Sequence, residues 1–147
     1  MTTVLTRMVA RLLLVPVLMV AAAILIKGYV DVGDGFAAGV IAALGVLLQY
    51  LAFGRAAVER VLPVRHAPKL AIGGLLVALA VAFVPVLLGR PPLQHAPAPG
   101  ADVVHLGTLE LLTAVAFDAG VFALVLGVVV AIIHLIAGAV EERGGRP

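Results

Sequence analysis

The chain has no cysteine and no tryptophan, and only 12% of its 147 residues are charged. Without cysteine there is no disulfide framework, no thiolate metal site and no cysteine nucleophile. Aromatic residues make up only 5% of the chain, so Tyr29 and Tyr50 are the only amphipathic rings available to anchor a membrane interface. Its ten basic residues are spread over short loops and form no patch that would bind nucleic acid.

Apolar residues are present in large excess. They make up 63% of the chain, against about 45–50% in ordinary soluble proteins, and the mean hydropathy is +1.22. A soluble domain of this size leaves too much of its surface wet to hide so much apolar area, and disordered chains have the opposite composition. The composition therefore predicts a membrane protein.

Four apolar segments are long enough to span a hydrocarbon core, which needs about 20 helical residues. We predict one all-α membrane domain over residues 1–147, with four transmembrane helices at about residues 10–30, 35–54, 70–89 and 114–139. The first segment also resembles a signal peptide, but its apolar stretch is longer than a usual signal sequence. We therefore interpret it as a retained helix.

Lysine and arginine are distributed unevenly over the predicted loops. Eight lie in the terminal segments and the second loop, whereas only Lys27 and Arg90 lie in the first and third loops. The positive-inside rule then predicts that both termini are cytoplasmic. The loops at 27–34 and 90–110 are predicted to be external, and the proline-rich third loop is predicted to be extended.

Asp118 is an ionisable residue inside the fourth apolar run, where a charge costs about 2.5–3.5 kcal/mol on insertion scales. One interpretation is a cation or proton site. The other is a residue near the start of a helix that begins at about Phe117, where the helix dipole favours a carboxylate. His134 lies about 24 Å further along the axis, so it cannot share a site with Asp118. We interpret His134 as an interfacial or subunit-facing residue and Gln49 as a helix–helix hydrogen bond.

The segment between the first two predicted helices is rich in glycine: Gly28, Gly33, Gly35 and Gly39. A dinucleotide fingerprint would need a preceding strand, and the acidic spacing does not fit a calcium loop. The glycines therefore predict a tight turn and a close helix approach.

Three charged residues surround this turn: Lys27, Asp31 and Asp34. They are open to two interpretations, a cation entrance or solvated loop charges.

Small residues recur at a spacing of four on the last three predicted helices, which lets helices approach closely in lipid. These stripes are Gly35, Gly39 and Ala43; Gly74, Ala78 and Ala82; and Ala119, Ala123, Gly127 and Ala131. So many faces lined by small residues, with so few polar groups, indicate that the chain is part of a larger assembly.

Two segments resemble those of the MnhB-domain family, which supplies one of the membrane subunits of Mrp-type multisubunit sodium/proton antiporters. The family's Gly-His-x-x-Pro-Gly-Gly-Gly-Phe-x-x-Gly segment is matched by residues 28–39, which include Phe36. Its Phe-Asp-x-Gly-Val pattern is matched from Phe117 through Asp118 and Gly120 to Val121. The resemblance covers about residues 12–140.

The chain departs from the family pattern at three positions of the first segment. Tyr29, Val32 and Asp34 stand where the family has histidine, proline and the middle glycine. We expect the fold to survive these changes.

The resemblance implies a non-catalytic subunit of a sodium/proton antiporter in the bacterial cell membrane, without a cofactor or a resident metal. Its implied partners are large antiporter-like subunits and several small ones, and the ions are sodium and protons. Asp118, Asp34, Asp31 and Lys27 are the candidate residues of the cation or proton path. Two alternatives remain: a subunit of a membrane-bound hydrogenase or another complex I-related complex, and a small proton-coupled exporter. The exporter would need a carboxylate that residues 12–26 lack.

Overall fold

The computed structural model describes residues 3–28, 33–89, 105–106, 109–110 and 113–144. In these residues the α-helices are α1 (Val4–Lys27), α2 (Gly35–Phe53), α3 (Arg55–Val61), α4 (Ala67–Leu87) and α5 (Thr113–Gly144). A 3₁₀ turn (Val64–His66) precedes α4, and β1 (His105–Leu106) pairs antiparallel with β2 (Leu109–Glu110). Four helices, α1, α2, α4 (with the preceding turn) and α5, are long and apolar enough to cross a membrane. The predicted all-α fold with four spans is therefore confirmed.

The first helix starts earlier than predicted. It begins at Val4 instead of residue 10, because the Thr3 hydroxyl caps it by accepting a 3.2 Å hydrogen bond from the Thr6 N–H. Arg7 consequently lies within the helix. The helix ends at Lys27, and the rest of the predicted span, residues 29–30, lies outside the described part of the chain.

The other spans differ from the prediction by a few residues. α4 begins at Ala67, with Pro68 in its first turn, where the missing proline N–H would have had no partner in the helix. α5 runs from Thr113 to Gly144 and is longer at its C-terminal end than the predicted 114–139. The second loop, predicted only as a connection, contains α3 and the 3₁₀ turn. Apart from β1 and β2, residues 90–110 lie outside the described part.

The spans form an open row in the order α1, α2, α5, α4. α1 packs on α2, α2 packs on α5, and α5 packs on α4, whereas the described residues show no packing of α4 against α1 or α2. Each end helix therefore has one main neighbour. Large apolar side chains are exposed along both end helices, as expected for surfaces that meet lipid or another subunit.

Glycines create the α4–α5 contact. A Cβ atom at Gly74 would collide with the backbone of Leu124 and Gly120, and one at Gly127 would collide with the backbone of Ala71. The predicted small-residue stripes thus mark real interfaces in α4 and α5. The α5 stripe is nevertheless shifted by one residue at its start, because Ala119 is exposed and Gly120 faces α4.

α2 is the most buried of the four spans, and it packs on α1 and on α5. Gly45 lies against Val17 of α1, and Gly39 lies against Val125 of α5. On the first of these faces, the Gln49 side-chain amide donates a 2.7 Å hydrogen bond to the Ala10 carbonyl of α1. This is the helix–helix hydrogen bond predicted for Gln49.

The contacts between helices define the two ends of the row. The glycine-turn end contains Gly28, residues 33–35 and the start of α5. The basic end contains the start of α1, the end of α2, α3, the start of α4 and the end of α5. Among the described residues, every lysine and arginine except Lys27 belongs to the basic end.

Candidate functional site

Asp118 is buried on α5 at the glycine-turn end, with only 3% of its surface exposed. The backbone N–H of Gly33 donates a 3.0 Å hydrogen bond to its Oδ2 atom. A buried carboxylate is costly unless it is hydrogen-bonded, paired or protonated. The hydrogen-bond donor for this carboxylate therefore comes from the turn between α1 and α2 and not from α5 itself.

Glycine is required for the turn to close over this carboxylate. A Cβ atom at Gly28 would lie 2.8 Å from Asp118 Oδ2, and one at Gly35 would collide with the Asp118 carbonyl oxygen. Gly33 has a φ of +122°, which favours glycine. The predicted tight turn and close approach are thus confirmed at the described glycines.

The interpretation of Asp118 as a residue near the start of a helix is wrong. The helix begins at Thr113, so Asp118 lies beyond its first turn, where the favourable effect of the dipole has decayed. Its hydrogen bond is to Gly33, 85 residues away in sequence. The hydrogen bond to this carboxylate thus links α5 to the turn between α1 and α2.

Lys27 and Asp34 form an ion pair across the same turn, with Lys27 Nζ 3.2 Å from Asp34 Oδ2. The lysine side chain is 65% exposed and the aspartate 29%, so the pair is at the surface. A Cβ atom at Gly28 would contact both Asp34 Cβ and Asp118 Oδ2, so both aspartates lie beside this glycine. Asp31 lies outside the described residues.

The remaining motif residues have different surroundings. Gly39 lies against Val125, and Gly120 lies against the Ala78 backbone, so both serve helix packing. Phe36 is 61% exposed and Phe117 is half-buried. The structure therefore brings Gly28, Gly33 and Gly35 to Asp118 and leaves Phe36 facing outward.

A second polar cluster, which the sequence did not reveal, lies at the basic end. The Tyr50 hydroxyl is 2.8 Å from His134 Nδ1. On the other side of the ring, His134 Nε2 is 3.4 Å from Arg55 Nη2 and 3.6 Å from Glu59 Oε1. We call Tyr50, Arg55, Glu59 and His134 the histidine cluster.

Arg55 and Glu59 form the outer part of the histidine cluster. Arg55 Nε donates a 2.7 Å hydrogen bond to Glu59 Oε1. This hydrogen bond lowers the pKa of Glu59 and raises the pKa of Arg55. Gly138 of α5 allows the approach, because a Cβ atom there would collide with Arg55 Nη1.

Sequence patterns contain no signal for the histidine cluster. Tyr50 and His134 are 84 residues apart, and only the pairing of α2 with α5 brings them together. The predicted separation of His134 from Asp118 agrees with the structure, since their partners lie at opposite ends of the row. Among the described residues, no three histidine, aspartate or glutamate side chains form a metal-binding group.

Most of the chain matches a known protein family. A family described as "Domain related to MnhB subunit of Na+/H+ antiporter" matches residues 5–131. The chain belongs to this family. The MnhB match spans α2 and α4 fully, nearly all of α1 and more than half of α5, so it includes both Asp118 and the glycine turn.

Individual MnhB relatives agree with this assignment. The MnhB-type protein of the Na(+)/H(+) antiporter from Alkalihalophilus pseudofirmus is 34% identical over 110 residues, which is 75% of each chain. Its counterpart in the Na(+)/H(+) antiporter of Bacillus subtilis is 33% identical over 76% of each chain. A longer relative from Rhizobium meliloti, named as a component of a probable K(+)/H(+) antiporter, is 39% identical over 81% of this chain, which spans only 12% of that relative.

Proposed function

We propose that this MnhB chain is a non-catalytic membrane subunit of a multisubunit monovalent cation/proton antiporter in the bacterial plasma membrane. Its relatives are named as subunits of sodium/proton or potassium/proton antiporters, and sodium is the cation proposed here. The open row supports a subunit role, because its end helices expose apolar faces. Large antiporter-like subunits and several small ones are the proposed partners.

The proposed orientation places the basic end in the cytoplasm. Arg7 and Arg11 of α1, Arg60 of α3, Lys69 of α4 and Arg143 of α5 belong to this end. Cytoplasmic segments of membrane proteins carry an excess of lysine and arginine. The glycine turn and Asp118 then lie in the external half of the complex.

We propose that Asp118 contributes to the cation or proton path. The observation that supports this role is its burial within an apolar candidate span, with Gly33 N–H as the described partner. One amide hydrogen bond offsets only a part of the cost of burying a carboxylate. A proton, a cation or water at the carboxylate would offset more of this cost, which supports the proposed role.

Asp34, Asp31 and Lys27 are the proposed mouth of this path. The Asp34 side chain is 29% exposed and is paired with Lys27, so a cation reaching the site would compete with the lysine ammonium. Acidic groups near an entrance raise the local cation concentration. Exposed ion pairs contribute only about 0–1 kcal/mol to stability. The exposure of this pair therefore supports a role at an entrance better than a structural role.

Asp118→Asn tests this role. Asparagine keeps the size of the side chain and an oxygen that can accept the Gly33 hydrogen bond, but it removes the titratable charge. We expect sodium-dependent antiport in membrane vesicles to fall at least tenfold while the amount of assembled complex remains normal. Salt-resistant growth should fall in parallel.

Glu142→Gln is the matched control, because it removes an exposed carboxylate near the opposite end of α5. This variant should transport normally. Normal transport by Asp118→Asn across a range of pH, at wild-type levels of complex, would show that Asp118 only holds the turn in place.

A further inference from the structure

A cationic cleft opens beside the segment that joins α3 to α4. It has a volume of about 620 Å³ and is lined by the histidine cluster residues Arg55, Glu59 and His134 and by Arg60, Arg65 and His66. Arg55 is already hydrogen-bonded to Glu59. Arg60 and Arg65, both exposed, are therefore the charges that the cleft offers to an anion.

An apolar groove of about 350 Å³ adjoins this cleft. Leu18 of α1, Val46 of α2, Leu70 of α4 and Leu126 of α5 contribute to its walls. α1 and α4 do not pack on each other in the described part of the chain, which leaves space between them. The only ionisable side chain in the lining is His66.

The cleft and the groove adjoin each other, because the same connecting segment borders both. Leu62, Pro63, Val64 and His66 line each of them. A ligand that occupies both spaces therefore needs an anionic head at the basic end and an apolar tail directed into the membrane-spanning part of the row.

We propose that the adjoining cleft and groove together bind an anionic phospholipid of the cytoplasmic leaflet. Its phosphate would lie between Arg60 and Arg65, and an acyl chain would fill the groove between α1 and α4. Basic pockets beside transmembrane helices on the cytoplasmic side are suited to anionic headgroups. The combined site falls within the usual range of ligand pockets, about 300–1,000 Å³.

Charge favours a lipid as the occupant over a transmembrane helix of another protein. This preference rests on the proposed function, which places the basic end in the cytoplasm. A partner helix that ends on the cytoplasmic side tends to carry lysine and arginine there, and these would face Arg60 and Arg65 with like charge. An anionic phospholipid presents the opposite charge at the same depth.

The test measures phospholipids retained by the intact antiporter complex. The complex is reconstituted into nanodiscs of equal parts phosphatidylglycerol and phosphatidylcholine, extracted in mild detergent, and examined by native mass spectrometry. Wild-type complex should retain phosphatidylglycerol in preference to phosphatidylcholine. The double variant Arg60→Gln with Arg65→Gln should bind phosphatidylglycerol about 30-fold more weakly, given the usual contribution of each basic residue near an anionic surface.

Matched variants separate the site from a general charge effect. Arg143→Gln with Arg146→Gln removes two positive charges from the C-terminal segment and should leave phosphatidylglycerol retention unchanged. Leu70→Trp, which narrows the groove, should reduce retention, whereas Leu76→Trp, on an exposed part of α4 outside the groove lining, should not.

Several results would overturn the proposal. These are equal retention of the two lipids by wild-type complex, unchanged retention in the Arg60/Arg65 double variant, and full displacement of phosphatidylglycerol by millimolar inorganic phosphate. Cross-linking of a cysteine at Leu70 to another subunit would instead assign the groove to a protein. Asp118→Asn should keep the lipid, so failure of the transport role and failure of the lipid site give different results.

Discussion

At the scale of single residues, Asp118 and Glu59 show how differently two carboxylates are held. Asp118 is buried, and its described partner is the neutral backbone N–H of Gly33. Glu59 is at the surface and has a cationic partner in Arg55. Burial beside a neutral donor is compatible with the ion-handling role proposed for the first carboxylate, whereas an exposed ion pair favours a local structural role for the second.

The Arg55–Glu59 pair predicts a pH dependence. Arg55 lowers the pKa of Glu59 from its usual 4.5, so the folded state favours the ionised carboxylate. Its stabilising effect is then complete above about pH 4.5 and is lost as the pH falls through the lowered pKa. The melting temperature of the complex should therefore be slightly lower for Glu59→Gln than for wild type at pH 7, and this difference should disappear in acid.

The size of this effect should be small because the pair is exposed to solvent. Glu142→Gln serves as the control, since it removes an exposed carboxylate of the neighbouring α5. A difference for Glu59→Gln that grows as the pH falls would contradict the direction of the pKa shift.

At the scale of the helices, two adjacent glycines of α4 have opposite surroundings. A Cβ atom at Gly74 would collide with the backbone of α5, whereas one at Gly73 would meet nothing within 4 Å. The backbone of a packed helix cannot move aside as a flexible side chain can. The α4–α5 contact therefore requires that position 74 carry no side chain.

Gly74→Ala should consequently destabilise the chain by about 1–3 kcal/mol, the usual cost of overpacking. Gly73→Ala should be neutral or slightly stabilising, because alanine favours a helix more than glycine does. The two variants can be compared by the denaturant or temperature midpoint of the purified complex. Equal midpoints for both variants would contradict the close approach of α4 and α5.

The helices also show how much of the fold and of the site can be predicted from the sequence. The number of spans follows from local hydropathy, and the α2 and α4 stripes follow from residue spacing, so both predictions are confirmed. The order α1, α2, α5, α4 depends on which faces meet, and hydropathy does not contain that information. The pairing of Tyr50 with His134 therefore has no sequence signal, and neither has α3, because a short helix outside the apolar runs leaves no mark on hydropathy.

At the scale of the whole molecule, the distribution of basic residues predicts the orientation of the row. Arg60→Cys should react with a membrane-impermeant thiol reagent in inside-out vesicles and remain unlabelled in intact cells. The chain has no native cysteine, so the background is clean. Leu88→Cys, an exposed position following α4 at the opposite end, should show the reverse pattern, and labelling of Arg60→Cys in intact cells would contradict the orientation.

The open row also predicts that the chain depends on its partners. Exposed apolar residues along α1 include Leu12 and Met19, and those along α4 include Ile72 and Leu76. In lipid, burying apolar side chains provides little drive for helix association, so packing of small residues and polar contacts must hold the helices together. α1 has these contacts only along one side, through Ala10 and neighbouring residues.

Purified alone in mild detergent, the chain should therefore aggregate or elute as a mixture of species. Co-expression with the other subunits should give one monodisperse complex, because their helices would cover the free faces of α1 and α4. Size-exclusion chromatography with light scattering distinguishes these outcomes. A monodisperse homodimer that transports ions by itself would overturn the subunit role and would instead support the small exporter, since two open rows would then close on each other.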